Sequence, residues 1–348
     1  MHGSRLKRSI ALVLLCLVAS GCAGNSTSRD TKPSATHIVY TRYPGDGRYE
    51  VWIANVDGSK KRHLTAGNSP RISPDGRWVA YRAGCKPFDT CRSLALIASS
   101  GGKSRVLAER GGADAQWSPD SKLVVFDNAT RLVGIEVATG HRYNVTPATW
   151  QQSWGFSFSP SGDEIAYAVP RTGHCFGNDV DIYVVNVGGG TPRRLTTDGC
   201  SAYPVWGAGG IAFARLIQYR GWGRHEIWRI NPDGTGRRTI TGRLPARLLG
   251  QGVTGLVPIA WSDDGRRLLA GLQTEFGAVP FAVDPEHGTM RKIADFDSPD
   301  GLSHDGRYVL VSNFGVASDD EKRVAVVAYS GGLGRIIARR SAGASWNR

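Results

Sequence analysis

Short apolar runs separated by turn residues recur along the chain in one repeated pattern. The clearest copy is residues 71–81, R-I-S-P-D-G-R-W-V-A-Y, in which two apolar segments flank a Pro-Asp-Gly turn. Proline presets φ and glycine tolerates φ > 0, so this segment predicts an antiparallel hairpin. The copies recur at intervals of roughly 40 to 55 residues, a period typical of propeller blades. They cover residues 115–126, 156–167, 204–213, 259–270 and 301–311.

Each predicted hairpin is followed by segments that predict two further strands. The third strand ends at a glycine turn, as in residues 181–188 (D-I-Y-V-V-N-V-G), and the fourth is short, as in residues 194–196. Four strands per repeat is the composition of one propeller blade, in which alternate apolar residues face the neighbouring blades. Seven candidate second strands predict seven four-stranded blades, with six blades as the alternative: 37–40, 78–81, 123–126, 164–167, 210–213, 267–270 and 308–311.

The two ends of the repeat region predict one shared blade. The repeats begin at a second strand, residues 37–40, so the first blade lacks its innermost strand. Residues 342–347 (A-G-A-S-W-N) are similar to residues 113–118 (A-D-A-Q-W-S), as if a new first strand began there. We therefore expect a C-terminal strand to complete the first blade. The 45 Gly and 17 Pro among 348 residues suit many short strands joined by turns, so the predicted fold class is all-β.

Four segments carry a resemblance to a known family. They are W-S-P-D at 117–120, S-P-D-G at 73–76, I-Y-V-V-N at 182–186 and N-P-D-G at 231–234. The chain resembles the WD40-like β-propeller repeat proteins of the TolB type, and the resemblance covers essentially all of residues 36–348. It implies a propeller fold and leaves the function open, because such blades occur in binding proteins, scaffolds and peptidase accessory domains alike.

The N-terminal segment predicts export. Basic residues precede an apolar run at 10–18 that is too short to span a bilayer, and the sequence A-S-G-C then ends at Cys22. Small residues before a cysteine resemble a bacterial lipobox, which implies lipidation of Cys22 and anchoring to the cell membrane. Residues 1–21 are then a signal peptide and residues 22–35 a flexible tether. The alternative is ordinary signal-peptidase cleavage near Ser20, which would give a secreted or periplasmic protein.

Cysteine usage agrees with export. Four cysteines follow the predicted anchor, and an even number in an exported chain predicts two disulfides. The expected pairs are Cys85 with Cys91 and Cys175 with Cys200. A four-cysteine metal site is the rival interpretation, but the spacing lacks the close C-x2-C pairs of structural zinc sites. No metal is therefore predicted.

The chain is strongly basic, with a formal net charge of +13. Outside the cell, positive charge draws a protein toward lipid headgroups or anionic wall polymers rather than nucleic acid. The alternative is a solvated arginine-rich surface without a partner.

No contiguous catalytic motif occurs in the sequence. It contains no G-x-S-x-G nucleophile elbow, no H-E-x-x-H pair and no EF-hand loop, so neither a catalytic residue nor a cofactor is predicted. Asp57, Asp233 and Asp284 lie in or near glycine turns and could bind calcium, but a lone aspartate there is predicted to be a turn residue. Four tryptophans share one register on the innermost strands and are predicted to pack between blades rather than form a ligand cage. They are Trp117, Trp206, Trp261 and Trp346.

Irregular insertions carry the binding prediction. In a propeller, connections from the second to the third strand and from blade to blade lie on one face, and the cysteines and longer insertions fall there. Residues 218–225 mix aromatic and basic side chains, a composition enriched at recognition surfaces. The alternative is a decorated loop with no partner. The predicted binding residues are Tyr219, Arg220, Trp222, Arg224 and His225.

Together these features predict a non-enzymatic, monomeric, membrane-anchored propeller outside the cytoplasm. Its predicted partner is an envelope protein, a peptide or an anionic polymer, with no nucleic acid and no cofactor. The alternative is a propeller enzyme of the hydrolase or lyase type with a site in the central channel. Carboxylates or histidines clustered around the channel would favour the enzyme, and an ordinary channel under an aromatic, basic face would favour the binding protein.

Overall fold

The computed structural model describes residues 35–84, 93–109, 113–148, 153–170, 179–219, 222–242, 244–245, 248, 252–313 and 318–347. Within those ranges every long regular element is a strand, and no helix has the length and apolar character needed to cross a bilayer. The predicted signal peptide, tether and lipidation site at Cys22 lie outside the described residues.

The strands follow the predicted repeats. In chain order they are β1 (His37–Arg42), β2 (Glu50–Asn55), β3 (Arg62–Ala66), β4 (Asn68–Ile72), β5 (Trp78–Ala83), β6 (Ser93–Ala98), β7 (Arg105–Ala108), β8 (Ala113–Trp117), β9 (Leu123–Asp127), β10 (Leu132–Glu136), β11 (Arg142–Asn144), β12 (Phe156–Phe158), β13 (Glu164–Pro170), β14 (Val180–Asn186), β15 (Arg193–Arg194), β16 (Ser201–Gly207), β17 (Gly210–Tyr219), β18 (Trp222–Ile230), β19 (Arg238–Thr239), β20 (Gly255–Trp261), β21 (Leu268–Thr274), β22 (Gly277–Val283), β23 (Met290–Lys292), β24 (Ser298–Leu302), β25 (Tyr308–Ser312), β26 (Arg323–Ala328), β27 (Arg335–Arg339) and β28 (Ser341–Trp346).

Strand pairing groups these elements into sets of four. Among the described residues there are five four-stranded sheets and one eight-stranded sheet. In the larger sheet a single parallel pair, His225 with Gly255, joins β18 to β20, so it consists of two four-stranded units side by side. The ladders between consecutive strands within each unit are antiparallel. The predicted all-β propeller architecture is confirmed.

The first sheet joins the two ends of the described chain. Its order is β28-β1-β2-β3, and β28 pairs antiparallel with β1 through Ile38 opposite Trp346 and Val39 opposite Ser345. Just beyond β28, Asn347 Oδ1 accepts hydrogen bonds from the backbone N–H of Thr36 at 3.0 Å and from that of His37 at 2.8 Å. The C-terminal strand therefore occupies the innermost position of the first blade.

The hydrophobic core lies between neighbouring sheets. One cluster, for example, packs Val39 and Ile53 of the first blade against Val79 and Tyr81 of the second, all of them buried. Alternate residues of each strand point to opposite faces of its sheet, so both faces of a blade contribute to such clusters.

The shared register of the tryptophans has a packing function. The indole N–H of Trp117 donates to the backbone oxygen of Arg71, at 2.8 Å, and that of Trp261 donates to the backbone oxygen of Val205, at 3.1 Å. Each bond reaches the innermost strand of the preceding blade. The prediction that these side chains pack between blades is therefore confirmed for this pair.

Arginines at the outer rim also connect neighbouring blades. Arg62 on β3 donates to the backbone oxygens of Ser99 and Ser100 in the second blade, at 2.5 and 2.9 Å. Arg291 on β23 donates to the backbone oxygen of Tyr329, which follows β26 in the next blade, at 2.6 Å. Part of the basic charge therefore serves contacts between blades rather than a ligand surface.

The three turn aspartates bind their own turns. Asp57 Oδ1 accepts from the backbone N–H of Ser59 at 2.9 Å, and Asp233 Oδ1 does the same with Thr235 at 2.8 Å. Asp284 Oδ1 accepts a hydrogen bond from the backbone N–H of Glu286, at 2.9 Å. Their prediction as turn residues is confirmed, and within the described ranges no three His, Cys, Asp or Glu side chains are placed to hold a metal ion.

Candidate functional site

The innermost strands enclose a channel with two chambers. The first, which we call the loop-side chamber, has a volume of about 600 Å³, and residues at the starts of the innermost strands line it. The second, the turn-side chamber, has a volume of about 490 Å³, and residues at the ends of these strands and in the following hairpin turns line it. Four residues from different blades line both chambers, so the chambers meet in the middle of the channel: Gln116, Ser157, Val205 and Ile259.

Irregular backbone shapes the wall of the loop-side chamber. Several innermost strands shift register near their start, between Ala113 and Gln116 in β8 for example. Asp114 in that bulge has a φ of 56°, and Tyr203 in the bulge of β16 has a φ of 53°. Left-handed backbone is unfavourable for such residues, and bulges commonly re-aim a side chain. Here both residues line the chamber.

Three charged side chains line the loop-side chamber, namely Arg71, Asp114 and Asp300. Asp300 lies on β24, at a register shift between Pro299 and Gly301. Its Oδ1 accepts the Ser298 hydroxyl at 3.0 Å, whereas Oδ2 is buried without a hydrogen bond of good geometry.

The environment of Asp300 favours its protonated form. Burial raises the pKa of its carboxyl to about 6, although a hydrogen bond from the Ser312 hydroxyl and the positive charge of Arg71 act in the opposite direction. A carboxyl with a pKa in this range can both donate and accept a proton near neutral pH. Arg71 supplies a fixed positive charge that could orient an anionic group in the same chamber.

Aromatic side chains form another part of this wall. Tyr203 stacks on Trp154 with ring centroids 6.0 Å apart and an interplanar angle of 27°. The ring of His225 meets Tyr203 edge-on at 6.2 Å. Burial lowers the pKa of His225 below its ordinary value of 6.5, so the ring is neutral at physiological pH.

The predicted binding insertion is a regular hairpin over most of its length. Strands β17 and β18 remain paired as far as Tyr219 opposite Trp222, so the interpretation of residues 218–225 as an irregular loop is wrong. Regular pairing extends because the alternating sequence on both sides can continue the ladder. Arg220 and the side chains of Tyr219 and Trp222 lie outside the described part of the chain.

Two of the predicted binding residues have described side chains. Arg224 and His225 are half-buried rather than exposed. His225 contacts Tyr203 in the chamber wall, which brings this end of the hairpin to the mouth of the loop-side chamber.

One of the predicted disulfide cysteines lies in the described part of the chain. Cys200 is disulfide-bonded. Its predicted partner Cys175 and the other predicted pair, Cys85 and Cys91, lie outside the described residues, so the pairing remains a prediction. Beside the disulfide, Asp198 Oδ2 accepts from Arg215 Nε at 2.7 Å and from the guanidinium of Arg237.

Little in the sequence signals the charged residues of the channel. Arg71, Asp114 and Asp300 come from three blades, far apart along the chain, and no fixed spacing connects them. No contiguous motif therefore contains them. A register alignment of the innermost strands could have placed all three on the channel wall.

Comparison with known proteins supports the fold. No family model matches the chain. At the sequence level it is 25% identical over 267 residues to a tricorn protease homolog of Streptomyces coelicolor, a match that covers 69% of this chain and 20% of that protein. The chain thus spans about a fifth of the length of the curated relative it matches.

Three solved structures illustrate the similarity in fold. TolB from Acinetobacter baumannii superposes with a TM-score of 0.56 and 14% identity, over 89% of this chain and 82% of TolB. The propeller domain of the Trilobed protease of Pyrococcus furiosus superposes with a TM-score of 0.61 and 15% identity, over 87% of this chain and 94% of that domain. Oligogalacturonate lyase of Vibrio parahaemolyticus superposes with a TM-score of 0.55 and 13% identity, over 77% of this chain and 76% of the lyase.

These similarities correct the prediction of a non-enzymatic protein. The proteins that the chain resembles include a tricorn protease homolog and a lyase, which points toward enzymes. The prediction failed because it required a contiguous motif, whereas a propeller can assemble a site from single residues of separate blades. The disulfide at Cys200 is consistent with an extracytoplasmic location. By fold, the chain is a TolB-like β-propeller.

Proposed function

We propose that the protein is an extracytoplasmic propeller enzyme of the hydrolase or lyase type, with its reaction in the loop-side chamber. The observation that carries the proposal is Asp300, a carboxyl on the channel wall whose pKa is raised to about 6. Both reaction types need a group that transfers a proton near the working pH. Asp300 takes this role.

The neighbours of Asp300 suit an anionic substrate. Arg71 lies on the same chamber wall and interacts electrostatically with Asp300. A guanidinium binds a carboxylate in a planar, bidentate geometry and thereby fixes its orientation. Asp114 supplies a second carboxyl on the same wall, where it can assist proton transfer or bind a hydroxyl of the substrate.

The substrate class follows from this arrangement. We propose an anionic envelope polymer with carboxylate groups. The Vibrio lyase is named for an oligogalacturonate, which also carries carboxylates. In such a polymer Arg71 would hold the carboxylate of one unit while Asp300 exchanges a proton at the reacting bond.

Turnover of a model polymer tests the proposed activity. Polygalacturonate is incubated with the full chain, and new reducing ends and unsaturated products are measured separately, so that hydrolysis and elimination are distinguished. We expect Asp300→Asn to lower kcat by roughly 10²- to 10⁴-fold, the usual contribution of an acid–base group. Arg71→Leu should raise KM. Asp295→Asn is the matched control, because Asp295 is exposed and pairs only with Lys292 among the described residues.

Two results would contradict the proposal. One is the absence of turnover of polygalacturonate and of a chromogenic peptide panel. The other is an Asp300→Asn variant with wild-type kcat. If only a peptide is turned over, the proposed channel site stands, but the substrate class is a peptide rather than an anionic polymer.

We also propose that substrate enters across the β17–β18 hairpin. This proposal uses the predicted binding residues Tyr219, Arg220, Trp222 and Arg224, because His225, three residues along β18 from Trp222, contacts the chamber wall. A pull-down of envelope polymer with wild type and with an Arg220→Ala, Trp222→Ala variant tests it. Equal recovery would rule out this route of entry.

Lipid anchoring through Cys22 is likewise proposed. The apolar run at 10–18 followed by A-S-G-C supports it. Metabolic labelling with a fatty acid should mark the wild-type protein and leave Cys22→Ala unlabelled, and an unlabelled wild type would indicate a secreted or periplasmic form.

A further inference from the structure

The turn-side chamber has an aromatic lining that the proposed reaction does not use. Its wall includes four tryptophans from four blades, at one register of the innermost strands: Trp117, Trp206, Trp261 and Trp346. We refer to them as the tryptophan collar. Its chamber of about 490 Å³ falls in the size range of small-molecule sites.

Contacts with the preceding blade hold the collar in place. The Trp261 indole spans Gly207 and Gly209, where an added Cβ would come within 2.5 and 2.6 Å of its atoms. Its N–H and that of Trp117 donate to backbone oxygens of the preceding blades. Trp261 is buried by these contacts, with 8% of its surface exposed, and it supports the wall from behind. Trp117 is half-buried and its N–H is occupied, so it can present its ring to a ligand but not a hydrogen-bond donor.

Polar groups stand at the rim of the same chamber. Asp263 and His304 both line it and pair through Oδ2 and Nδ1, and the backbone N–H of Asp263 donates to the backbone oxygen of His304 at 3.1 Å. The carboxylate of Asp263 is 49% exposed and the imidazole of His304 is 30% exposed. Both can therefore bind a ligand while they remain paired with each other.

This combination favours a neutral ligand with flat apolar faces and polar edges. A cationic ligand gains less here, because the carboxylate of Asp263 is already paired with His304. An anionic ligand would meet the carboxylate of Asp263. A pyranose ring fits, since its C–H faces can pack on indole rings and its hydroxyls can bond the rim.

We infer that the tryptophan collar binds a neutral pyranose unit of a carbohydrate. The inference goes beyond the proposed reaction and does not depend on proton transfer by Asp300. Since the two chambers meet at Gln116, Ser157, Val205 and Ile259, one carbohydrate chain could occupy both.

Calorimetric titration of the full chain with cellotriose, followed in parallel by tryptophan fluorescence, tests the inference. We expect saturable binding that Trp206→Ala weakens by roughly tenfold, the effect of losing one aromatic platform. Asp263→Asn, which leaves the collar intact, should also weaken binding. The control is Trp52→Ala: Trp52 is likewise half-buried but lies on β2, where its N–H donates to Glu50 Oε2 at 2.8 Å.

The possible outcomes separate this site from the proposed enzyme. Asp300→Asn should bind cellotriose like the wild type even if it has lost activity. The inference is overturned if wild type does not bind cellotriose, if tetramethylammonium binds in its place, or if Trp206→Ala and Trp52→Ala have equal effects. Thermal melting of each variant checks that it is folded, and Asp263→Asn provides the test if Trp206→Ala does not fold.

Discussion

Replacing Asp300 by asparagine should stabilise the fold at neutral pH while it removes the proposed activity. The pKa of this carboxyl is raised from 3.8 to about 6, because its charged form is poorly solvated on the channel wall. At about 1.36 kcal/mol per tenfold change in proton affinity, holding the ionised carboxylate costs up to about 3 kcal/mol above pH 6. Asparagine carries no charge, so the variant avoids this cost.

The sign of the pH dependence follows from the direction of the shift. Because the pKa of Asp300 is higher in the folded state, its protonated form favours folding. This stabilisation is complete below the unfolded pKa of 3.8 and is lost as the pH rises toward about 6. Wild type and variant should therefore differ little below pH 3.8 and most above pH 6. The Ser298 and Ser312 hydroxyls can rotate to serve the new amide, which limits any loss of hydrogen bonding.

Urea unfolding of both proteins across this pH range measures the effect. We expect the midpoint of Asp300→Asn to exceed that of the wild type near pH 7 and the two midpoints to converge in acid. The exposed control Asp295→Asn should match the wild type throughout. A variant that is less stable than the wild type near pH 7, with a gap independent of pH, would refute the raised pKa and with it the assignment of Asp300 as the acid–base group.

Further predictions concern the scaffold. Asp198→Asn should destabilise the protein by about 2 kcal/mol near pH 7, since burial of its carboxylate is outweighed by hydrogen bonds from Arg215 and Arg237, which lower its pKa from 3.8 to about 2. In urea unfolding this gap should close as the pH falls from 3.8 toward 2, and a constant gap would contradict the cause. Deleting residues 342–348 should lower the melting temperature of the whole domain, because β28 supplies the innermost strand of the first blade; an unchanged midpoint would refute this. Arg62→Met should lower stability by less than about 1 kcal/mol in chemical unfolding, as expected for an exposed contact, and a larger loss would mean that the rim contacts dominate stability.

The fold could be predicted because its signals are local. In residues 71–81, the turn, the alternation and the strand lengths all lie within one short segment, and the same combination returns in each repeat. The hairpin of β17 and β18 shows the limit of such signals. Its composition indicated a surface insertion, but pairing across strands continues to Tyr219 and Trp222 and makes it part of a blade.

The channel site could not be predicted in the same way, because no blade contributes more than a few polar residues to it. Arg71 and Asp114 are ordinary residues within their own strands, and only the packing of the blades brings them into one chamber with Asp300. The left-handed backbone at Asp114 lies in a bulge of the β8–β9 pairing, which no residue pattern in the sequence marks. The sequence does contain the residues, but their common location is a property of the assembled sheets.

Asp300 shows how a local motif can conceal a site. The letters S-P-D-G occur at 73–76, where Gly76 closes a turn onto Ser73, and again at 298–301, where they form strand β24. The two copies differ in the residues that come after them. Residues 303–306, S-H-D-G, supply a second turn, and the apolar run of β25 begins directly after it. A hairpin has one turn, so the motif next to the apolar run folds as the turn and the earlier copy becomes the strand before it. A turn aspartate is thereby converted into a channel carboxyl, which is why a position that local chemistry assigns to the surface lies on the wall of the proposed active site.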